Sequence, residues 1–277
     1  MERNHHMSTR FRFGKNWQAF LSVLDAERIL EAKRSLKEML GGNNFEGLRF
    51  LDIGSGSGLF SLAAHELGAY VHSFDFDLDS VACTKSLQAT FANSSDRWKV
   101  EQGSVLDNSY LKTLGTFDIV YSWGVLHHTG QMYQALQNVT SLVKPQGQLF
   151  IAIYNDQGFL STFWTFIKKT YSSSGGIIRG LLLSMFAVLF EAARFFQRLL
   201  SGKNPLPWVA WREKKQARGM SEWYDLVDWV GGYPFEVAKP EEIFEFYKSR
   251  GFQLERLVTK RGGQGCCEYV FRKVGSP

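Results

Sequence analysis

The chain has 277 residues, 44% of them hydrophobic and 15% aromatic, which excludes a disordered polymer and leaves room for one ordinary α/β domain plus an addition. Three cysteines, Cys266 beside Cys267 and Cys83 remote, exclude a disulfide framework and a zinc site, so a reducing, cytoplasmic setting is expected and no metal. The net charge of +5 is local: Leu160 to Met220 holds ten Lys and Arg against Glu191 and Glu213, a segmental +8, and the remainder carries −3.

Met1 to Arg10 is polar and basic with no apolar run after it, so no signal peptide is expected. Phe11 to Trp17 is aromatic for a tail and reads either as a packing anchor or as a flap over a bound ligand. Trp17 to Leu40 has helical apolar spacing, with a break near Asp25 and a stop at Gly41-Gly42.

The stretch Phe50-Leu51-Asp52-Ile53-Gly54-Ser55-Gly56-Ser57-Gly58-Leu59 then joins an apolar run to a glycine-rich turn and a helical pattern. Alternate glycines let the backbone take φ > 0 and let a ligand approach where side chains would block it. Asp75 closes the next apolar run, Tyr70 to Phe74, 17 positions after Gly58, the spacing of an acid that grips ribose hydroxyls at a strand tip. Glycine turn plus acid points to an adenosine-type cofactor. A dinucleotide fingerprint needs G-x-G-x-x-G, but counting from Gly54 gives Gly56 and then Leu59, which weakens an NAD reading.

Further on, Leu59 to Leu67 reads as a helix stopped by Gly68, and Asp79 to Phe91 as a helix with Asp79 as N-cap. Trp98 to Gln102, Phe117 to Trp123 and Gln148 to Tyr154 are strands, with a helix over Gly130 to Val143 and a turn at Lys144-Pro145-Gln146-Gly147. Such alternation predicts a doubly wound α/β fold with a mostly parallel sheet. After Pro240, a helix ending near Arg250-Gly251 precedes two strands, Phe252 to Val258 and Glu268 to Arg272, whose glycine-rich link predicts an antiparallel hairpin.

The order of these motifs, and the run D-I-G-S-G-S-G from Asp52 to Gly58, resembles the class I S-adenosylmethionine-dependent methyltransferases. That resemblance implies a seven-stranded sheet with the last strand inserted antiparallel beside the fifth. It implies S-adenosyl-L-methionine as cofactor, held by Asp52, Gly54, Ser55, Gly56, Gly58 and Phe76, with Asp75 on the ribose and Ser104 and Val105 near the adenine. Many relatives carry Asp where this chain has Ser104. Trp123 would lie near the transferable methyl. Tyr121 to His128 resembles methyltransferases of small metabolites, quinone-ring and lipid methylating groups included, and lacks the N-P-P-Y type signature of enzymes that methylate nucleic-acid amines.

Methyl transfer from a sulfonium is an in-line displacement, most of which is alignment, and a hydroxyl acceptor must also lose a proton to a positioned base. His127 and His128, just past the fourth strand, have the right place, with His128 slightly preferred; two helix-start residues bonded to backbone is the competing reading. Tyr233 and Glu236 are further candidates, because Gly231-Gly232 permits a bend that returns them over a pocket; a packed connector is the alternative.

Four segments follow: a helical flap over 1–48, the cofactor-binding α/β core over 49–158, a helical cap insertion over 159–236, and a C-terminal helix and strands over 237–277. Ile177 to Leu200 is amphipathic, and Arg179 and Glu191 interrupt it too early for a spanning helix. It suits a lid, or peripheral membrane contact through 177–200. The expected activity is methyl transfer, most of all to oxygen, on a small apolar or amphiphilic acceptor. The alternatives are an NAD-dependent oxidoreductase and a non-catalytic or membrane-attached nucleotide-binding module. No nucleic-acid partner is expected, since the basic residues are mixed with long apolar runs unlike a phosphate-tracking groove.

Overall fold

The computed structural model describes residues 11, 14, 24–42, 44–92, 95–206, 208, 222–260, 263 and 265–275. They fall into two compact units, a larger one over Arg12–Ser161 and Phe235–Pro277 and a smaller one of Thr162–Pro234 with Phe11. Arg12, Phe13 and residues 15–17 of the aromatic N-terminal stretch lie outside the described residues.

The larger unit is a seven-stranded sheet in the order β3-β2-β1-β4-β5-β7-β6. Its strands are β1 (Arg49–Ile53), β2 (Tyr70–Asp75), β3 (Trp98–Gln102), β4 (Phe117–Trp123), β5 (Val143–Tyr154), β6 (Phe252–Val258) and β7 (Cys266–Lys273). The first five pair in parallel, and β7 lies antiparallel between β5 and β6, as expected. Beyond the exposed Arg49, β1 is enclosed on both faces, because Phe50, Leu51 and Ile53 are apolar and Asp52 is the one polar residue among them. Phe50, Tyr121, Phe150 and Val270 face one core with the helices α1 (Ala26–Leu40) and α2 (Leu59–Glu66), while Leu51, Ile53, Val120 and Ile151 face another with α5 (Met132–Thr140) and α9 (Pro240–Lys248). Full burial of each such large side chain contributes about 1.5–3 kcal/mol.

The break expected near Asp25 is there, and α1 begins after it: the Asp25 carboxylate accepts from Arg28 N–H at 3.0 Å, and Ile29, Leu36 and Met39 pack into the sheet's core within the larger unit. Other boundaries differ from the sequence reading, each for a local reason. The helix α3 (Leu78–Phe91) is capped by Asp77, whose side chain accepts from Asp79 N–H at 3.0 Å, so Asp79 lies inside the first turn. β5 starts before the Lys144-Pro145-Gln146-Gly147 turn, since Val143 pairs with Phe117 and the register shifts before Gln148 joins Ile119. The short helix α4 (Asn108–Leu114) is capped by Asp107. Beyond β5, Asn155 bridges Ala238, with Ala238 N–H donating to Tyr154 O and Asp156 N–H to Ala238 O at 3.1 Å each.

The smaller unit is helical: α6 (Phe159–Ser173, of which Thr162 onward belongs here), α7 (Gly176–Leu200) and α8 (Glu222–Gly231). Trp164 is its hub, with ring centroids 5.0 Å from Phe186 and 5.4 Å from Trp229. Lys168 is fully buried, donates to Trp229 O, and sits 4.7 Å from the Trp229 ring centroid. Arg179 closes the α6–α7 corner by donating to Tyr171 O and Ser172 O at 2.9 Å each, carbonyls that α6 leaves unsatisfied at its end. Phe11 packs here too: its N–H donates to Tyr233 O at 2.9 Å, and a Cβ on Gly231 would come within 2.5 Å of its ring.

Candidate functional site

The glycine turn between β1 and α2 needs left-handed backbone at three positions, with φ of +76° at Gly54, +55° at Gly56 and +82° at Gly58. Two of them also admit neighbours that a side chain would push away. A Cβ on Gly54 would lie 2.5 Å from Val125, and one on Gly58 would lie 3.0 Å from the Thr84 backbone. The turn is tied to the tip of β2 from both sides: Gly54 N–H and Ser55 N–H donate to Phe74 O, and Gly56 N–H donates to Asp75 Oδ2 at 3.0 Å. The other oxygen of Asp75 accepts from Asp77 N–H at 2.9 Å, which fixes the carboxylate at the mouth of the turn. Ser55 Oγ pairs with Thr84 Oγ1 at 2.9 Å, a contact from α3 that no local spacing announces.

Asp52 is placed differently from the other motif residues. Its side chain is 2% exposed beneath the turn, accepts from Ser61 Oγ at 2.5 Å, and lies in a chain that continues to Ser73 Oγ and Trp98 Nε1. Burial raises its carboxyl from 3.8 to about 7, against the lowering effect of the Ser61 hydrogen bond, with the Asp75 charge adding to the rise. Asp52 therefore supports the turn from inside and presents no open oxygen to a ligand.

Phe76 stands exposed just past the β2 tip. Ser104 and Val105 follow β3, where Gly103 N–H donates to Asp75 O at 3.0 Å and Asn138 Nδ2 donates to Val105 O at 2.8 Å. Ser104 Oγ accepts from Leu106 N–H at 3.2 Å, a turn-closing bond. Val105 is buried and Ser104 half-buried. Gly14, which the sequence reading did not single out, reaches the same rim: its N–H donates to Asp77 Oδ2 at 3.1 Å, and a Cβ there would meet Asp79 Cβ at 2.5 Å.

At the end of β4, Trp123 is 45% exposed, Gly124 turns at φ +76°, and a short 3-10 helix carries Leu126–His128. His127 and His128 are both buried, with ring centroids 4.5 Å apart, and each touches Tyr154, at 4.1 and 5.5 Å. Tyr154 N–H donates to His127 Nδ1 at 3.4 Å, so that nitrogen is the unprotonated one. Phe235 extends the aromatic group, its ring 5.1 Å from Tyr154.

Glu236 joins this group through its backbone, N–H to His127 O at 3.0 Å, and spends its carboxylate elsewhere. Both oxygens accept from Met132 N–H, at 3.0 and 3.1 Å, and Gly130 N–H also bonds to it. The first turn of α5 has no side-chain cap of its own, and a negative charge there meets the positive end of the helix dipole. Burial raises the Glu236 carboxyl above its usual range despite these N–H bonds. Tyr233 belongs to the helical unit and is not among the residues the larger unit gathers. The side chains of residues 222–225 and 228 lie outside the described residues.

A family model described as a methyltransferase domain matches residues 24–216. A ubiquinone biosynthesis O-methyltransferase from Parvibaculum lavamentivorans is 34% identical over 117 residues, 40% of this chain and 42% of that protein. The mitochondrial ubiquinone biosynthesis O-methyltransferase of Schizosaccharomyces pombe is 34% identical over 110 residues, 40% of this chain and 39% of that protein. In both, the match spans about two-fifths of the relative's length. Among solved structures, magnesium protoporphyrin IX methyltransferase from Synechocystis PCC 6803 with bound SAH shares the fold, with a TM-score of 0.51 and 14% identity over 88% of this chain and 83% of that one.

Proposed function

Because this chain belongs to the methyltransferase-domain family, we propose that it transfers a methyl group from S-adenosylmethionine to an oxygen of a small apolar or amphiphilic acceptor. The observation that carries the reading is Asp75, held by Gly56 N–H at the mouth of a turn with glycine at every second position. That cradle suits a nucleoside. The chemistry of the rim suits a cationic one: Asp75, Asp77 and Asp79 together make it acidic, and after burial their charges help push the Cys83 thiol up to about 11. Dinucleotide phosphates would be repelled there, which argues against the NAD alternative.

When bound, S-adenosylmethionine supplies a methyl group activated by its sulfonium. Gly54, Gly56 and Gly58 would admit it, Asp75 would hold the ribose hydroxyls, Phe76 and Val105 would border the adenine, and Trp123 would shield the methyl side from water. Ser55 contributes by tying the glycine turn to Thr84 of α3, Ser104 through the turn its hydroxyl closes, and Asp52 supports the cradle from within. His127 is held by Tyr154 N–H, which leaves His128 as the group to take the acceptor's proton. Glu236 is a positioning residue, since its carboxylate caps α5 while its N–H fixes the His127 carbonyl. An oxygen acceptor is favoured by the names of the relatives, and an apolar one by the aromatic group Tyr154, Phe235 and Trp123.

Calorimetry with S-adenosylhomocysteine tests the cradle. Asp75→Ala should weaken binding tenfold or more, about 1.4 kcal/mol. Unchanged affinity in that variant would remove Asp75 from the site and sink the reading.

A further inference from the structure

We propose that the outward face of α7 docks the protein on an anionic membrane surface, with the helix lying along the bilayer plane. The helix runs 25 residues, about 37 Å, and is long and apolar enough by length and composition to cross a membrane, yet only 11% of its most apolar 18-residue window is buried. Its amphipathicity is reversed relative to a core helix. Leu183 and Phe186 are its buried positions, and the Glu191–Arg194 pair, 2.9 Å apart, is half-buried on the same side. Ile177, Leu181, Val188 and Leu199 recur on the opposite side, where Val188 is 69% exposed and Ile177 84%. These side chains are hydrocarbon alone, with no donor or acceptor to fix the register of a protein partner, whose interfaces carry about one hydrogen bond per 100–200 Å². Trp208, exposed in the same unit, is a residue type that settles at the headgroup level.

Charge selects the occupant. The segment from Leu160 to Met220 carries +8 while the rest of the chain carries −3, so an anionic surface attracts this part and repels the remainder. Lys169 and Lys203 are exposed cations within it. A spanning arrangement is disfavoured, because Phe186 would have to leave Trp164 and the Glu191–Arg194 pair would enter hydrocarbon. An in-plane helix keeps both contacts and buries only the outer stripe.

Flotation of the full chain tests this without any cofactor, and so fails or succeeds independently of the methyl-transfer reading. The chain should float with vesicles of phosphatidylcholine and phosphatidylglycerol, float less with phosphatidylcholine alone, and be partly released by high salt, which screens only the electrostatic share. Leu181→Asp with Val188→Asp should reduce flotation about tenfold or more while leaving the thermal midpoint in place, since both positions are exposed. Wild-type protein that stays at the bottom with anionic vesicles overturns the proposal. So does a double variant that floats as well as wild type. A wild-type dimer that the double variant converts to monomer, with no vesicle binding by either, assigns the face to a second copy instead.

Discussion

Leu51, Val120, Leu149 and Ile151 of the sheet are fully enclosed, whereas Ile177, Leu181, Val188 and Leu200 of α7, residues of the same kind, stand in solvent. In the α/β unit a polar chain also runs through the interior, from Asp52 through Ser61 and Ser73 to Trp98. In the helical unit the interior is a small aromatic knot around Trp164, and the longest apolar stripe is left over. An apolar period therefore states that a face will be covered, and leaves open whether the cover is the same chain or something else.

The comparison breaks most readily at the aromatic knot. Phe186→Ala should destabilise the helical unit by about 3–5 kcal/mol, read by denaturant unfolding followed through tryptophan fluorescence. A change near zero would mean that this unit has no core of its own. Next in size is the pH behaviour of the buried chain that begins at Asp52. Folding raises Asp52 from 3.8 to about 7, so between those values the folded chain keeps a proton that the unfolded chain has released. Stability must then fall as pH rises through that window. Asp52→Asn should flatten the thermal midpoint over the same range, and an unaltered slope would locate the dependence elsewhere. The smallest effect is expected at Glu236, where Glu236→Ala should cost about 1 kcal/mol as a lost helix cap and Glu236→Gln, which keeps one acceptor oxygen, less. Equal thermal midpoints for all three proteins would show that α5 is capped by water just as well.

What the sequence made legible is local. The strand, glycine turn and helix from Phe50 onward, and Asp75 after β2, lie within a few dozen residues, and each position is forced by backbone conformation or strand spacing. The antiparallel β6–β7 pair was legible for the same reason, from its glycine-rich link. The N-cap of α3 was misread by two residues because Asp77 and Asp79 are both good caps, and only the backbone turn at Asp77 chooses between them. The role of Glu236 was hidden, since the N–H it caps is 104 positions away. Gly14 was hidden likewise, 63 positions from Asp77. Asp52 looked like its motif neighbours because a motif does not show that it still lies within β1, where both faces are enclosed, while the glycines after it lie in the open turn.

The chain leaves the sheet after Tyr154 and re-enters it at Ala238, and there Tyr154 and Asp156 are stitched to Ala238 by backbone bonds at 3.1 Å each. Departure and return thus share one doorway. A segment admitted through such a doorway is a cassette: its length barely affects the host, because the ends are already held together and loop closure grows only with the logarithm of length. The Rossmann-like host can keep its registers while the cassette is shortened, exchanged or lost, so chains of this kind can differ most in what they dock against and least in what they hold in the glycine turn.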